Sequence, residues 1–258
     1  MIEIRELSVT YGGGVEAVKG VSVTLNRGEL CGLAGESGSG KSTLLMSIPG
    51  LLPAGTEVSG RILLDGIDLL PLREEELNAL RWRRVAIVPQ GAMNSFTPVL
   101  TVGRHVEEVL DVHLGVTGRA ARERTAELFA AAGLDASHAD RYPHELSGGQ
   151  KQRAAIALAL ACDPEWLLCD EPTTALDVVT QRGIVDALLG LVRSRGLGML
   201  LVSHDLPLAA SACSRLLIMK DGSLVEDGAP RDVVASPRSR HAAELVEALL
   251  DLEGGDSE

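Results

Sequence analysis

Residues 35–43 read Gly-Glu-Ser-Gly-Ser-Gly-Lys-Ser-Thr and constrain this chain more than any other stretch. They fit the pattern G-x-x-x-x-G-K-[ST]. The apolar run 30–34 before them predicts a short buried strand, and residues 44–48 after them continue as a helix. Glycines let the backbone turn with its N–H groups inward, at a helix N-terminus whose dipole favours an anion. The context predicts a phosphate-binding loop rather than a Gly/Ser-rich turn that merely precedes a helix.

Two side chains of this loop have specific predicted roles. Lys41 is expected to reach the β and γ phosphates of a nucleotide, and Ser42 to hold Mg2+ through its hydroxyl. The rest of the loop is expected to line the same nucleotide site: Gly35, Glu36, Ser37, Gly38, Ser39, Gly40 and Thr43.

Composition narrows the class of protein. At 258 residues and 45% hydrophobic content the chain can bury one large core or two modest lobes. A net charge of −12 and only 2% aromatic residues argue against nucleic acid as a partner. The four cysteines form no C-x-x-C pair, so neither a zinc site nor a disulfide framework is predicted, and a reducing cytosol suits them. The longest apolar run, 154–162, falls far short of the roughly 20 residues that cross a bilayer, so a membrane role must be peripheral.

Two acids follow the apolar run 166–169. The carboxyl end of a strand in a parallel sheet is where ligands bind, and a carboxylate there can hold Mg2+ directly or through water. Asp170 is therefore predicted to bind the metal, and Glu171 to orient the attacking water. A solvated strand end is the alternative, which the phosphate-binding loop in the same chain disfavours.

Two further polar residues follow buried strands. Gln90 comes after the strand 85–88 and is expected to touch the metal or the water. His204 comes after the strand 199–202 and is expected to bond the γ-phosphate. Taken alone, a glutamine after a strand is usually a surface residue, and a histidine there is more often a capping residue.

The segment Leu146-Ser147-Gly148-Gly149-Gln150 opens a predicted helix that runs to Ala161. Ser147 and Gln150 have the spacing of a capping box, which is the purely structural interpretation. Two adjacent glycines in a first turn cost about 1 kcal/mol each relative to alanine. The pair therefore predicts backbone N–H groups kept exposed to bind an anion.

The remaining patterns predict the supporting elements. Short β-like runs at 2–7, 21–25 and 61–64 indicate an antiparallel sheet beside the loop, and a helical insert spans helices at 101–113 and 117–132. Tyr11 precedes three glycines and either stacks on an adenine or lies half-buried at a strand end. Spacing favours the strand end. The histidines show no ligand spacing and are expected to be surface or packing residues, namely His105, His113, His138 and His144.

In order and spacing, these motifs resemble those of the ATPase subunit of an ABC transporter. The matching segments are the Walker A loop 35–43, the Q-loop residue Gln90, the signature 146–150, the Walker B acids Asp170 and Glu171, the D-loop 175–177 and the switch residue His204. The resemblance implies an α/β fold: a P-loop NTPase core with a mostly parallel sheet and an antiparallel β subdomain (1–90 and 163–230), a helical subdomain (91–162) and a C-terminal helical tail (231–258).

The resemblance also implies cofactors and site residues. ATP and Mg2+ are the implied cofactors, with Lys41, Gln90, Glu171 and His204 catalytic, and Tyr11 on the adenine. Each ATP would lie between one subunit's P-loop and residues of a second subunit bound head to tail, namely Ser147, Gly148, Gly149, Gln150 and Asp177. The implied partners are a distinct second ATPase subunit, two membrane-spanning permease subunits and, through them, an extracytoplasmic solute-binding protein. The implied location is the cytoplasmic face of the membrane.

Within that family, the segments 93–98, 141–146 and 170–179 resemble the oligopeptide, dipeptide and nickel importer branch. The branch implies ATP-driven import of a peptide, nickel or another small solute. Met93 and Phe96 are expected to be exposed and to contact a membrane subunit. The alternative function is a soluble ABC-type ATPase of an assembly process; a P-loop kinase or GTPase lacks the signature.

Overall fold

A computed structural model describes residues 1–246 of the chain. In chain order the strands are β1 Ile2–Tyr11, β2 Val15–Leu25, β3 Leu30–Ala34, β4 Glu57–Leu64, β5 Ile67–Asp68, β6 Val85–Val88, β7 Trp166–Asp170, β8 Gly198–Val202, β9 Arg215–Lys220 and β10 Ser223–Gly228. The α-helices are α1 Lys41–Ser47, α2 Glu74–Leu80, α3 Val102–Leu114, α4 Gly118–Ala131, α5 Gly148–Ala159, α6 Val178–Arg195, α7 Leu206–Ala212 and α8 Pro230–Ala235.

The backbone contacts divide the chain into two compact units. The first unit comprises Met1–Leu77 together with the described residues from Gly198 onward, up to 246, and the second comprises Asn78–Leu197. The subdomain boundaries expected from the sequence stay a prediction. Residues 240–246 of the expected C-terminal tail are helical, and residues 247–258 of that tail lie outside the described part of the chain.

The first unit contains an antiparallel sheet in the order β2-β1-β4-β5. Ile2 on β1 pairs with Leu25 on one side and Leu64 on the other. Because side chains alternate along a strand, Ile2 and Ile4 of β1 both point into the core. The sequence correctly predicted this antiparallel sheet, although β1 and β2 are longer than the predicted runs.

The same unit contains the strands that carry the P-loop, in the order β10-β9-β3-β8. β3 pairs in parallel with both β8 and β9, and β10 completes the edge in antiparallel fashion. Every residue of β3 is buried. A central parallel strand is covered on both faces, which explains why it is a continuous apolar run rather than an alternating one.

The second unit pairs β6 with β7 in parallel, Val85 opposite Trp166, and carries helices α3 to α6. Helix α3 buries Val102, Val106 and Leu110, which lie one turn apart on one face. Thr101 caps its N-terminus by accepting from Arg104 N–H. The predicted helices at 101–113 and 117–132 are confirmed to within two residues.

None of the helices among residues 1–246 is long and apolar enough to cross a membrane.

Candidate active site

The glycine-rich loop joins β3 to α1, as the sequence predicted. Gly35 (φ 149°), Gly38 (φ 79°) and Gly40 (φ 100°) all have positive φ. A Cβ on Gly35 would lie 2.3 Å from the carbonyl oxygen of Met219, and one on Gly40 2.2 Å from that of Ala17. A Cβ on Gly38 would meet nothing within 4 Å. Backbone crowding therefore excludes side chains at both ends of the loop, while its middle faces open space.

Lys41 lies buried at the first position of α1. Its Nζ donates to the carbonyl oxygens of Gly35 at 2.8 Å and Glu36 at 2.7 Å. The next residue, Ser42, is exposed. A buried ammonium must be hydrogen-bonded, and these carbonyls hold it against the loop that it is expected to serve. The cationic group, the loop N–H groups and the hydroxyl form a donor set that fits a polyphosphate and its metal.

Tyr11 is the last residue of β1 and is half-buried. Its hydroxyl lies 2.9 Å from Oγ1 of Thr43, on α1. The structure thus matches the strand-end alternative for its position, and the glycines that follow it form a turn. Its role on the adenine stays a prediction.

Glu171 follows β7 and adopts a left-handed conformation with φ 47°. Its Oε2 accepts one hydrogen bond from Gln90 Nε2 and one from Thr174 Oγ1, both at 2.9 Å. Left-handed backbone outside glycine is uncommon and costs free energy, so the surrounding contacts must hold it. The structure brings together two predicted catalytic residues from the ends of β6 and β7. The sequence patterns did not identify Thr174 as a site residue. The feature that could have indicated it is a hydroxyl three residues after the glutamate.

Asp170 ends β7 and is 2% exposed. A buried carboxylate persists only where donors or a metal ion satisfy it. The residues between 1 and 246 contain no group of three or more acids, histidines or cysteines that could hold a metal. The Asp170 carboxylate, as an oxygen ligand, fits Mg2+. Proteins bind this ion through one or two oxygen ligands, while the nucleotide phosphates and water complete its coordination shell.

The signature segment begins α5 as a capping box. Ser147 Oγ accepts from Gln150 N–H at 3.3 Å, and Gln150 Oε1 accepts from Ser147 N–H at 2.9 Å, which confirms the predicted cap. A Cβ on Gly149 would lie 2.4 Å from Cγ2 of Thr180, and one on Gly148 3.2 Å from Cδ2 of Leu176. Close packing thus requires a glycine at 149, whereas the sequence alone indicated only anion binding as the reason for both glycines.

Asp177 caps the N-terminus of α6. Its carboxylate accepts from Thr180 N–H at 3.0 Å and from Thr180 Oγ1 at 2.7 Å. These hydrogen bonds hold the pKa of Asp177 below its usual range. The two residues that follow, Val178 and Val179, are 80% and 82% exposed. The local role of Asp177 is that of a helix cap, and its expected contact with ATP stays a prediction.

His204 follows β8 and is exposed. The next residue, Asp205, caps α7 by accepting from Leu208 N–H at 2.8 Å. An exposed position after a buried parallel strand is where ligands bind in such sheets, and the expected bond of His204 to the γ-phosphate stays a prediction.

Phe96 is not exposed, so the expectation that it offers an exposed apolar side chain to a membrane subunit is wrong. The side chain is 7% exposed, and its ring meets that of His105 edge-on at 5.2 Å. His105 is fixed in turn: its Nε2 accepts from Thr97 N–H at 2.9 Å. Sequence position could not reveal this because His105 comes from the next helix. The exposed apolar residues here are Val99 at 73% and Leu100 at 37%.

The fold and these residues define a P-loop nucleotide-binding protein of the α/β class. A family model described as "ABC transporter" matches residues 18–174, and the chain belongs to this family.

Two curated relatives show the extent of the similarity. The chain is 38% identical, over its whole length, to the dipeptide transport ATP-binding protein DppD of Haemophilus influenzae, of which it covers 80%. It is 42% identical, over 96% of its length, to the peptidoglycan transport ATP-binding protein YejF of Agrobacterium fabrum. The chain spans about half the length of that relative, 47%.

A solved structure extends the comparison to the fold. The structure is described as a dimeric, post-hydrolysis state of the ATP-binding cassette MJ0796 bound to ADP and Pi. It matches 90% of this chain and 99% of its own, with a TM-score of 0.80 and 33% identity. The predicted α/β ABC ATPase fold is thereby confirmed.

Proposed function

We propose that this chain is the ATP-binding and ATP-hydrolysing subunit of an ABC transporter, a translocase that imports a solute, and that the solute is a peptide. The observation that carries the hydrolytic part is Glu171, a carboxylate held by Gln90 and Thr174 directly after the buried Asp170. The relatives named for dipeptide and peptidoglycan transport support transport over the soluble assembly ATPase. The relative named for dipeptide transport supports a peptide as the solute.

In this proposal each residue has a distinct task. When bound, ATP supplies the phosphoryl group and Mg2+ neutralises its negative charge. The loop N–H groups and Lys41 bind the β and γ phosphates, while Ser42 and Asp170 hold Mg2+. Glu171 orients the attacking water and takes its proton, with Gln90 fixing the carboxylate and reaching the metal or water. His204 bonds the γ-phosphate, and Tyr11 contacts the adenine.

The site is completed by a second subunit. Ser147, Gly148, Gly149, Gln150 and Asp177 are proposed to face the ATP held by the P-loop of a partner ATPase subunit, bound head to tail. The similar cassette MJ0796 is described as dimeric, which supports an assembly of two ATPase subunits. The further partners proposed are two membrane-spanning permease subunits and, through them, an extracytoplasmic solute-binding protein. The ATPase then lies peripherally on the cytoplasmic face of the membrane.

Affinity purification from native membranes, followed by identification of the co-eluting proteins, tests the transport assignment. We expect two permease subunits, a second ATPase subunit and a solute-binding protein whose bound solute is a peptide. Co-elution with soluble assembly factors and no membrane protein would refute transport. A binding protein loaded with another solute would refute only the peptide.

A further inference from the structure

The C-terminal segment 236–246 brings a buried histidine to the P-loop. His241 is 4% exposed, and its Nδ1 lies 3.9 Å from Oε1 of Glu36, the second residue of the loop. Neither ring nitrogen of His241 has a hydrogen-bond partner within residues 1–246. Buried polar atoms are nearly always satisfied, because an unsatisfied one costs free energy. The ring therefore favours any partner that can close the gap to hydrogen-bonding distance.

Hydrogen bonds made by Ser239 fix the start of the helix that carries His241. Ser239 N–H donates to Oε1 of Glu226 at 2.6 Å, and Glu226 is 5% exposed on β10. Ser239 Oγ then accepts from Ala242 N–H at 3.0 Å and caps the helix that carries His241. The start of the segment is thus fixed to strand β10 of the first unit by a hydrogen bond to a buried side chain.

Two carboxylates flank the ring at the same distance. Nδ1 of His241 lies 3.9 Å from Glu36 Oε1 and 3.9 Å from Glu244 Oε2. Glu244 is already held by Arg240, whose Nε donates to its Oε1 at 2.9 Å. Glu36 has a side chain that is 65% exposed and belongs to the loop. Glu36 is therefore the carboxylate that can turn toward the ring.

Glu36 contacts the lysine of the loop and also carries a carboxylate beside the phosphate-binding backbone. Its carbonyl oxygen accepts from Nζ of Lys41 at 2.7 Å, so the same residue contacts the lysine through its backbone and the histidine through its side chain. Its carboxylate places a negative charge in a loop that, in the proposed function, binds a polyanion, and like charges repel. A side chain that turns this carboxylate away from the loop would favour nucleotide binding.

We propose that His241 is a positioning residue of the nucleotide site: it holds the Glu36 carboxylate toward the C-terminal segment and away from the bound phosphates. This inference rests on the proposed function of the P-loop. It makes ATP affinity depend on a residue some 200 positions further along the chain.

The test compares ATP affinity across matched variants of the full chain. His241→Phe keeps a buried ring without nitrogens and should weaken ATP binding by about twofold to fivefold, the range of a partly exposed charge interaction. His241→Asn restores a donor near the Nδ1 position and should bind within about twofold of wild type. Glu244→Gln is the matched control, since it removes the equidistant carboxylate that is not in the loop, and it should change nothing. The kcat at saturating ATP should not change in His241→Phe.

A double-mutant cycle locates the effect. In a Glu36→Gln background, His241→Phe should lose its penalty, because the charge that it positions is gone. An undiminished penalty there, an equal penalty in Glu244→Gln, or no penalty in wild type would overturn the inference. If His241→Phe shows no cooperative unfolding, His241→Gln, whose amide lies nearer the Nε2 position, replaces it with the same expected loss. A wild-type chain that binds no ATP would instead refute the proposed function.

Discussion

Replacing Glu171 with glutamine removes one negative charge while keeping the size of the side chain. The carboxylate accepts hydrogen bonds from Gln90 and Thr174 at the same oxygen, and an amide oxygen in that place can still accept both. An amide cannot take a proton from water. A positioned general base contributes about 10²–10⁴ in rate, which is about 2.7–5.4 kcal/mol of barrier. Glu171→Gln should therefore lower kcat by at least about a hundredfold.

Nucleotide binding should survive this change because Lys41, Ser42 and Asp170 are untouched. Steady-state hydrolysis with Mg2+ measures kcat, and equilibrium titration measures the affinity for ATP. Loss of turnover with retained affinity should let the ATP-loaded dimer accumulate, visible by size-exclusion chromatography. Retention of more than about a tenth of the wild-type kcat, a barrier change below ~1.4 kcal/mol, would refute the role of Glu171.

Thr174→Val is a milder substitution that tests the hydrogen bond to the same carboxylate. Valine keeps the shape of threonine and removes only the hydrogen bond to Glu171 Oε2. A hydrogen bond to a charged group contributes about 1.5–3 kcal/mol, so kcat should fall by roughly tenfold to a hundredfold. In a Glu171→Gln background, Thr174→Val should add little, because both changes act on one group. Fully additive losses would contradict the idea that Thr174 acts through the carboxylate.

Three further predictions test packing and assembly. Gly149→Ala should lower the free energy of unfolding by about 1–2 kcal/mol, since its Cβ would lie 2.4 Å from Thr180 Cγ2. Adding Thr180→Ser, which removes that methyl but keeps Oγ1, should restore the lost stability in thermal unfolding. If the stability is not restored, close packing is not the reason for the glycine. Phe96→Asp should destabilise the fold by about 3 kcal/mol or more because the ring is buried. Val99→Asp, at a 73% exposed site, should leave the melting temperature unchanged. A transport defect in Val99→Asp would show that this segment contacts the permease. Ser147→Arg should block hydrolysis at the partner's P-loop while the isolated variant keeps its ATP affinity; affinity lost in the isolated subunit would mean that the signature acts within its own chain.

Much of the fold and of the P-loop could be predicted from local patterns. The P-loop is a continuous segment whose glycines, lysine and flanking apolar runs each follow from neighbouring residues. The capping box of Ser147 and Gln150 spans three residues, and the structure confirms it. Gln90 and Glu171 could be identified because strand ends of a parallel sheet meet at one edge, and the structure joins them at 2.9 Å.

Contacts between residues distant in sequence decided the rest. The sequence indicated that Phe96 was apolar and lay in a loop, but only the packing of His105 showed that it is buried. Likewise Gly149 looked like a residue chosen for exposed backbone until the close approach of Thr180 left no room for a Cβ. The contact of His241 with Glu36 joins positions that no local pattern connects. Local chemistry determines which residues can cap, turn or bind phosphate, whereas burial and close approach depend on which distant segments the folded chain brings together.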